Sequence, residues 1–491
     1  MDLQTLDTTE CLRLLESGEV SSVELLTLFA ERMKAHNPAI NAVIETDLES
    51  AMARAKSADD ARANGESWGA LHGLPMTIKD TFEVVGMRTT AGANSLKEHR
   101  PKTNAAAVQK LLDAGAIVWG KTNTPPFAMD IQTYNDLHGV TNNPWDITRT
   151  PGGSSGGSAA ALAAGFTTLE LGSDIGGSIR TPASFCGVYG HKPTHGIVSL
   201  QGQIPGPPGT KSHPDLAVAG PLGRSADDLA LALNILAGPE PLKSPGWKLE
   251  LPKARHKKLA DFRVAVWLDD KECAVDSEIV EMLNMTALAI RQAGAKVTEA
   301  KPAGHKEILS IYYTLLSAIV GSSLPNPIFQ MFANMDDDGI SEYLAQNKLP
   351  ENYRAQVKGR AVSHRQWMGA NERRARIQYR CKEFFNDYDV LLMPVTPNVA
   401  PLHDNQTLID ARRITINSED RSYVDQFPWI GLATMAGLPA TSAPIGRTQA
   451  GMPVGMQIVG PYLEDYTTIE FARLLAEITD GFVAPALSSG Q

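Results

Sequence analysis

Leu25, Phe29 and Met33 recur every four residues, which places three apolar side chains on one side of a helix. Just ahead of them, Ser21-Ser22-Val23-Glu24 has the form of a capping box, with Ser21 accepting from the third helical N–H and Glu24 reaching back. A second helix is predicted to open near Thr103, carry Val108, Leu111 and Leu112, and stop at Gly115; Ala116-Ile117-Val118-Trp119 then reads as a short buried strand. Ser225 with Asp228 starts a further helix through Leu229, Leu233 and Leu236, ended by Gly238-Pro239. Past a Pro- and Lys-rich stretch at 242–258 the pattern continues. Residues 263–267 read as a strand, and Ile279, Leu283, Ala287 and Ile290 mark a helix ending at Gly294. Residues 390–393 and 456–459 read as buried strands and 469–475 as a late helix.

Strands alternating with helices predict an α/β fold. The expected form is one domain over 1–491, a large mixed, mostly parallel β-sheet covered by helices on both faces. Within it, 1–65 reads as an N-terminal helical segment and 66–240 as the part that carries the chemistry. Residues 302–380 lack strand signals and are expected to form a helical insertion or cap. A chain of 491 residues can bury a large core as a single unit.

Charge narrows the functions. With 45 Lys+Arg against 55 Asp+Glu, the formal net charge is −10, which argues against a nucleic-acid partner, because phosphate contacts need clustered cations. The four cysteines, Cys11, Cys186, Cys273 and Cys381, form no Cys-x-x-Cys pair, so neither a disulfide scaffold nor a zinc ribbon is expected. The N-terminal stretch 1–7 is acidic and lacks the basic and apolar regions of a secretory signal. The longest apolar run, 312–320, is too short for a membrane span of about 20 residues. The expectation is a soluble cytoplasmic protein without a membrane partner.

Two segments depart from ordinary composition, PGGSSGGSAAALAAG from Pro151 and LGSDIGGSIRTPASFCGVYGHKPTHG from Leu171. Clustered glycine costs conformational entropy, so it is retained where the backbone needs positive φ or close approach. Free N–H groups in such turns make an anion cradle, for a phosphate or an oxyanion. Neither block continues into Gly-Lys-Ser/Thr or contains Gly-x-Gly-x-x-Gly, which disfavours a nucleotide and leaves serine-based acyl transfer. Gly-x-Ser-x-Gly occurs twice within 152–157, but no strand signal precedes it, as a nucleophile elbow requires. The second block fits a nucleophile better, because Thr168-Leu169-Glu170-Leu171 reads as a strand leading into the glycine turn.

Together the blocks resemble the signature of the amidase signature family of serine hydrolases, whose conserved stretch runs GGSSGG, GSDxGGSxRxPA and CGxxGxKPT. Residues 152–157, 172–183 and 186–194 match in that order. The similarity is close over 73–196 and looser toward both termini, including Gly437-Leu438-Pro439-Ala440. The resemblance implies the amidase signature fold and a Ser–cis-Ser–Lys triad. Ser178 is the implied acylated nucleophile. Ser154 is the bridging serine, preceded by a cis peptide bond, and Lys79, in Leu74-Pro75-Met76-Thr77-Ile78-Lys79-Asp80, is the base. Ile175, Gly176, Gly177 and Ser178 would supply the N–H groups of the oxyanion hole.

A lysine is normally protonated, with pKa about 10.4, so this role requires burial that favours the free amine. Asp174 and Arg180 read as loop-holding residues and an ion pair, His191 and His195 as structural, and Cys186 as a packing residue. Met129 is placed either in the acyl pocket or in the core. The expected function is hydrolysis of an aryl, acyl or short aliphatic amide, and of esters, by a stand-alone amidase. It would use no cofactor and no metal, would have a small-molecule amide as its partner, and would be a homodimer by base rate. The segment 302–380 would cap the substrate pocket. The alternative is the glutaminase (A) subunit of a tRNA-dependent amidotransferase. A non-catalytic binding protein and a Ser–His–Asp hydrolase are the remaining readings.

Overall fold

Runs of β-branched and aliphatic residues become strands, and several of these are buried at every position. In chain order the strands are β1 (Val43–Thr46), β2 (Pro75–Lys79), β3 (Ile117–Thr122), β4 (Tyr134–Asn135), β5 (Gly139–Val140), β6 (Leu169–Asp174), β7 (Tyr189–Lys192) and β8 (Val218–Gly223). They continue with β9 (Arg263–Val266), β10 (Lys296–Glu299), β11 (Val390–Pro394), β12 (Arg413–Ile416), β13 (Glu419–Ser422), β14 (Ala440–Arg447) and β15 (Pro453–Val459). The computed structural model describes residues 6–240 and 242–487; residues 1–5 of the acidic N-terminal stretch lie outside them.

Eleven strands form one sheet in the order β1-β3-β2-β6-β8-β7-β14-β15-β11-β9-β10, while β4 with β5 and β12 with β13 make separate two-stranded ladders. The expected large mixed sheet is the one found. Its parallel pairs lie on the flanks, where β2 joins β3 and β6, and β9 joins β10 and β11. The six remaining pairings are antiparallel, so parallel pairs are not the majority that alternation suggested. The reason is local. β6 and β7, separated by the helix Arg180–Cys186, run the same way, but β8 enters between them antiparallel to both. β14 and β15 are joined by the short loop 448–452.

Full burial of β2, β3, β6, β7 and β8 requires helices on both faces. The helix Ser22–Ile40 carries the predicted capping box and buries Leu25 and Phe29, with Met33 packed at the edge of the same core. The box of Ser225 and Asp228 caps the helix Ala226–Leu236. The helix expected from Thr103 begins later, as Ala106–Asp113, because Asn104 gives its side-chain oxygen to the N–H of Val85 and caps nothing. The N-terminal segment is helical as read but also contributes the edge strand β1. Residues 302–380 hold five α-helices, the last of them running on to Asp387, a 3-10 turn at Glu351–Tyr353 and no strand. Gly120-Lys121-Thr122 has the letters of a phosphate-loop ending, yet it lies inside β3 with Lys121 buried against Asp80 at 3.0 Å. No helix among the described residues is long and apolar enough to cross a membrane.

The glycines of the first block let a helix lie directly on backbone. A Cβ on Gly157, in the helix Gly156–Ala164, would sit 2.4 Å from the amide nitrogen and 2.5 Å from the carbonyl oxygen of Asn123. Backbone cannot yield as a side chain can, so Gly157→Ala is expected to cost about 1–3 kcal/mol through overpacking. A fall in the urea midpoint at constant m-value would show it.

Candidate active site

Strand register brings the first two groups together. β2 and β6 are parallel neighbours with Thr77 opposite Glu170 and Ile78 opposite Leu171. Continued by one residue, that register sets Lys79 beside Gly172, with Ser173 next along β6, at the carboxyl ends where sites form in such sheets. After Asp174 the chain turns through 175–178 into the helix Arg180–Cys186. The serine pair arrives from the other block, just before the helix Gly156–Ala164, and the Gly153–Ser154 peptide bond is cis. The N–H of Ser155 donates to the carbonyl of Ser178 at 3.2 Å, joining the two glycine blocks.

Lys79 is completely buried. Its Nζ lies 2.7 Å from Ser154 Oγ, 3.0 Å from Ser155 Oγ and 3.1 Å from Ser173 Oγ. Burial lowers its pKa to about 7, against an opposing pull from the carboxylates of Asp174 and Glu170. The adjacent carboxylate, Asp80, is occupied by Lys121 and by the N–H and hydroxyl of Thr90. The amine thus faces hydroxyls at hydrogen-bond range, and can be free or protonated near neutral pH. Glu170 is itself buried, accepts from the hydroxyl of Thr77, and has its carboxyl pushed up to about 7 by that burial.

The turn that carries Ser178 is held by Asp174. Asp174 accepts from the N–H groups of Gly177 at 3.0 Å and Ile179 at 3.1 Å, and from Arg180 Nε and Nη2 at 3.0 and 2.9 Å. Burial alone would raise this carboxyl, but the Arg180 guanidinium and the backbone donors outweigh it and hold it below its usual range. Arg180 also reaches the carbonyl of Ile430, Gln457 Oε1 and Thr434 Oγ1. Gly177 has φ +89, and a Cβ there would meet Thr181 Oγ1 at 2.7 Å.

These bonds correct one expectation: the Gly177 N–H is engaged by Asp174 and holds the turn instead of facing an oxyanion. The N–H groups of Ile175, Gly176 and Ser178 have no protein acceptor among the described residues. The Ile175 carbonyl, on the other side of the turn, accepts from the Tyr312 hydroxyl at 3.2 Å.

Met129 is half-exposed, which removes the core alternative. It precedes Asp130, whose carboxylate is paired with Arg412 at 2.6 Å and accepts from Tyr423. His191 is buried between Thr441 and Asp465, His195 follows β7 and bonds through its N–H to Gly437, and Cys186 is buried against the carbonyl of Pro151; none of the three contacts the lysine. No group of three or more His, Cys, Asp or Glu among the described residues is placed to hold a metal ion. Ser155, Ser173, Glu170 and Tyr312 went unread. The first three lie in or beside the blocks but carry no distinguishing spacing, and Tyr312 approaches from 137 residues away.

The sequence profile described as Amidase matches residues 24–469. A relative from Natranaerobius thermophilus, named as the A subunit of glutamyl-tRNA(Gln) amidotransferase, is 32% identical over 98% of this chain and 97% of its own. Among solved structures, the A subunit of that amidotransferase from Thermotoga maritima superposes with TM-score 0.77 at 26% identity, covering 99% of both chains. A 6-aminohexanoate cyclic dimer hydrolase complexed with substrate gives TM-score 0.77 at 28% identity, covering 98% of both.

Arg180→Met would strand Asp174 as an unpaired buried carboxylate, a loss of about 3–5 kcal/mol. Urea unfolding of the variant against the parent measures it. The Asp174→Asn, Arg180→Met double variant is expected to recover part of the deficit.

Proposed function

This chain belongs to the amidase family, and on that premise we propose that it cleaves the C–N bond of a carboxylic amide through an acyl-enzyme on Ser178. The observation that carries the reading is the fully buried Lys79 amine 2.7 Å from Ser154 Oγ. As free amine, Lys79 takes the Ser154 proton while Ser154 takes that of Ser178, whose oxygen attacks the carbonyl carbon. The oxyanion that forms is met by the N–H groups of Ile175, Gly176 and Ser178. The proton then returns through the same relay to the leaving nitrogen, which departs poorly as an anion. Collapse breaks the C–N bond and leaves an ester on Ser178. Water, deprotonated by the same relay, hydrolyses it and restores the free serine. Met129 forms a wall of the acyl pocket in this reading, with the helices of 302–380 as its cap, a placement supported by the Tyr312 contact to Ile175.

For the amide itself, the relatives favour glutamine. The curated match carries the name of an amidotransferase component over nearly its whole length, which favours an ammonia-releasing subunit that works beside a second chain over the stand-alone amidase expected from sequence. The second reading, a stand-alone hydrolase of aliphatic amides or esters, is favoured by the likeness to the cyclic dimer hydrolase.

Ser178→Ala and Lys79→Ala are each expected to lower kcat by about 10⁴-fold or more, as loss of members of a catalytic unit does, with circular dichroism unchanged; retention of most activity by Ser178→Ala overturns the mechanism. Because only the free amine accepts a proton, kcat/KM should rise tenfold per pH unit below about 7 and level off above it. A panel of glutamine, anilides and short aliphatic amides, assayed on the purified chain and on any co-purifying partner, separates the substrate readings. Ammonia release from glutamine supports the amidotransferase reading, and partner-free anilide or aliphatic amide turnover supports the stand-alone enzyme.

A further inference from the structure

The relay leaves a question of proton placement: what keeps the lysine lone pair aimed at Ser154, when three hydroxyls surround the amine? The segment 200–204 bears on it. It runs antiparallel beside the residues that follow Lys79, with the Glu83 N–H donating to the Gly202 carbonyl at 2.9 Å and the Ile204 N–H to the Thr81 carbonyl at 2.8 Å. Gln203 therefore stands next to the end of β2, and its Nε2 lies 3.1 Å from Ser173 Oγ and 3.0 Å from the Ile204 carbonyl.

A carbonyl oxygen only accepts, so the Gln203 atom facing Ile204 must be the amide nitrogen. One of its hydrogens is used there and the other points at Ser173 Oγ. Ser173 must then present a lone pair to Gln203, and its second lone pair can accept from Lys79. Its own proton is turned away from the amine. Ser155 is similarly constrained, with its hydroxyl directed at the Ser173 carbonyl at 3.4 Å. Ser155 and Ser173 become the two acceptors for the two N–H bonds of the free amine. The remaining direction, the lone pair, faces Ser154.

We infer that Gln203 is a positioning residue that fixes Ser173 as an acceptor and so directs the Lys79 lone pair at the bridging serine. This rests on the acyl-enzyme reading above. Without the amide, Ser173 is free to rotate its proton onto the amine and compete with Ser154 for the lone pair. A carboxylate in its place would stabilise the ammonium.

The test uses two near-isosteric variants, Gln203→Met and Gln203→Glu, and reads the pH-dependent rate at which a fluorophosphonate labels Ser178, which needs no knowledge of the substrate. Gln203→Met is expected to slow labelling by about tenfold, part of the 10²–10⁴ that a positioned base supplies, at unchanged melting temperature. In Gln203→Glu the added negative charge favours the protonated lysine, so the free base is available only at higher pH and the acid limb should move up by about one unit or more. If both variants keep the parental rate and limb while Lys79→Ala and Ser178→Ala fail to label, Gln203 has no such role and the relay stands. If Lys79→Ala labels at the parental rate, the relay itself is overturned, and the role of Gln203 with it.

Discussion

An amine kept out of water among hydroxyl groups is the condition on which the rest of this structure depends. Among the described residues Lys79 has no carboxylate at hydrogen-bond range, and the nearest in sequence, Asp80, is held by Lys121 at 3.0 Å. Its own partners are Ser154, Ser155 and Ser173. Three hydroxyl oxygens satisfy an ammonium, and two of them satisfy the N–H bonds of the free amine, so neither protonation state is left with an unmet donor. Burial moves the pKa down to about 7, and the more distant carboxylates of Asp174 and Glu170 keep it from falling further. The group can then gain and lose a proton near neutral pH, which an exposed lysine cannot.

That niche needs rigid walls, and they come from distant parts of the chain. The Ser178 turn hangs on the Asp174 carboxylate, which is pinned by Arg180. Arg180 is in turn anchored to Ile430, Thr434 and Gln457. Gln457 lies on β15 within the antiparallel centre of the sheet. The centre that departs from simple strand–helix alternation is therefore also what braces the Ser178 turn. The candidate groups span residues 79–178, while the anchors of Arg180 lie at residues 430–457.

The same division bears on how one fold serves differently named enzymes. Chains at 26–28% identity share this fold over nearly their whole length, yet one belongs to an amidotransferase while another is a cyclic dimer hydrolase. A fold carries a site, and specificity is set by what surrounds it. In the proposed reading those surroundings are the helix His305–Gly321, whose Tyr312 bonds to Ile175, and the half-exposed Met129.

By itself the sequence determined the local elements and the candidates for the reacting groups. Capping boxes at Ser21 and Ser225, helix ends at Gly115 and Gly294, and the serine-bearing glycine blocks are short-range patterns, and each is read from a few consecutive residues. Lys79, Ser154 and Ser178 stand out as candidates because the motifs around them are long and specific. Tertiary structure alone decided what touches them. The antiparallel insertion of β8 between β6 and β7, the capture of the Gly177 N–H by Asp174, the exposure of Met129, and the approach of Tyr312 and Gln203 all depend on segments far apart in the chain. Such contacts leave no periodicity in the sequence, because their energy is realised only when burial removes the competing water and strand register sets the distances.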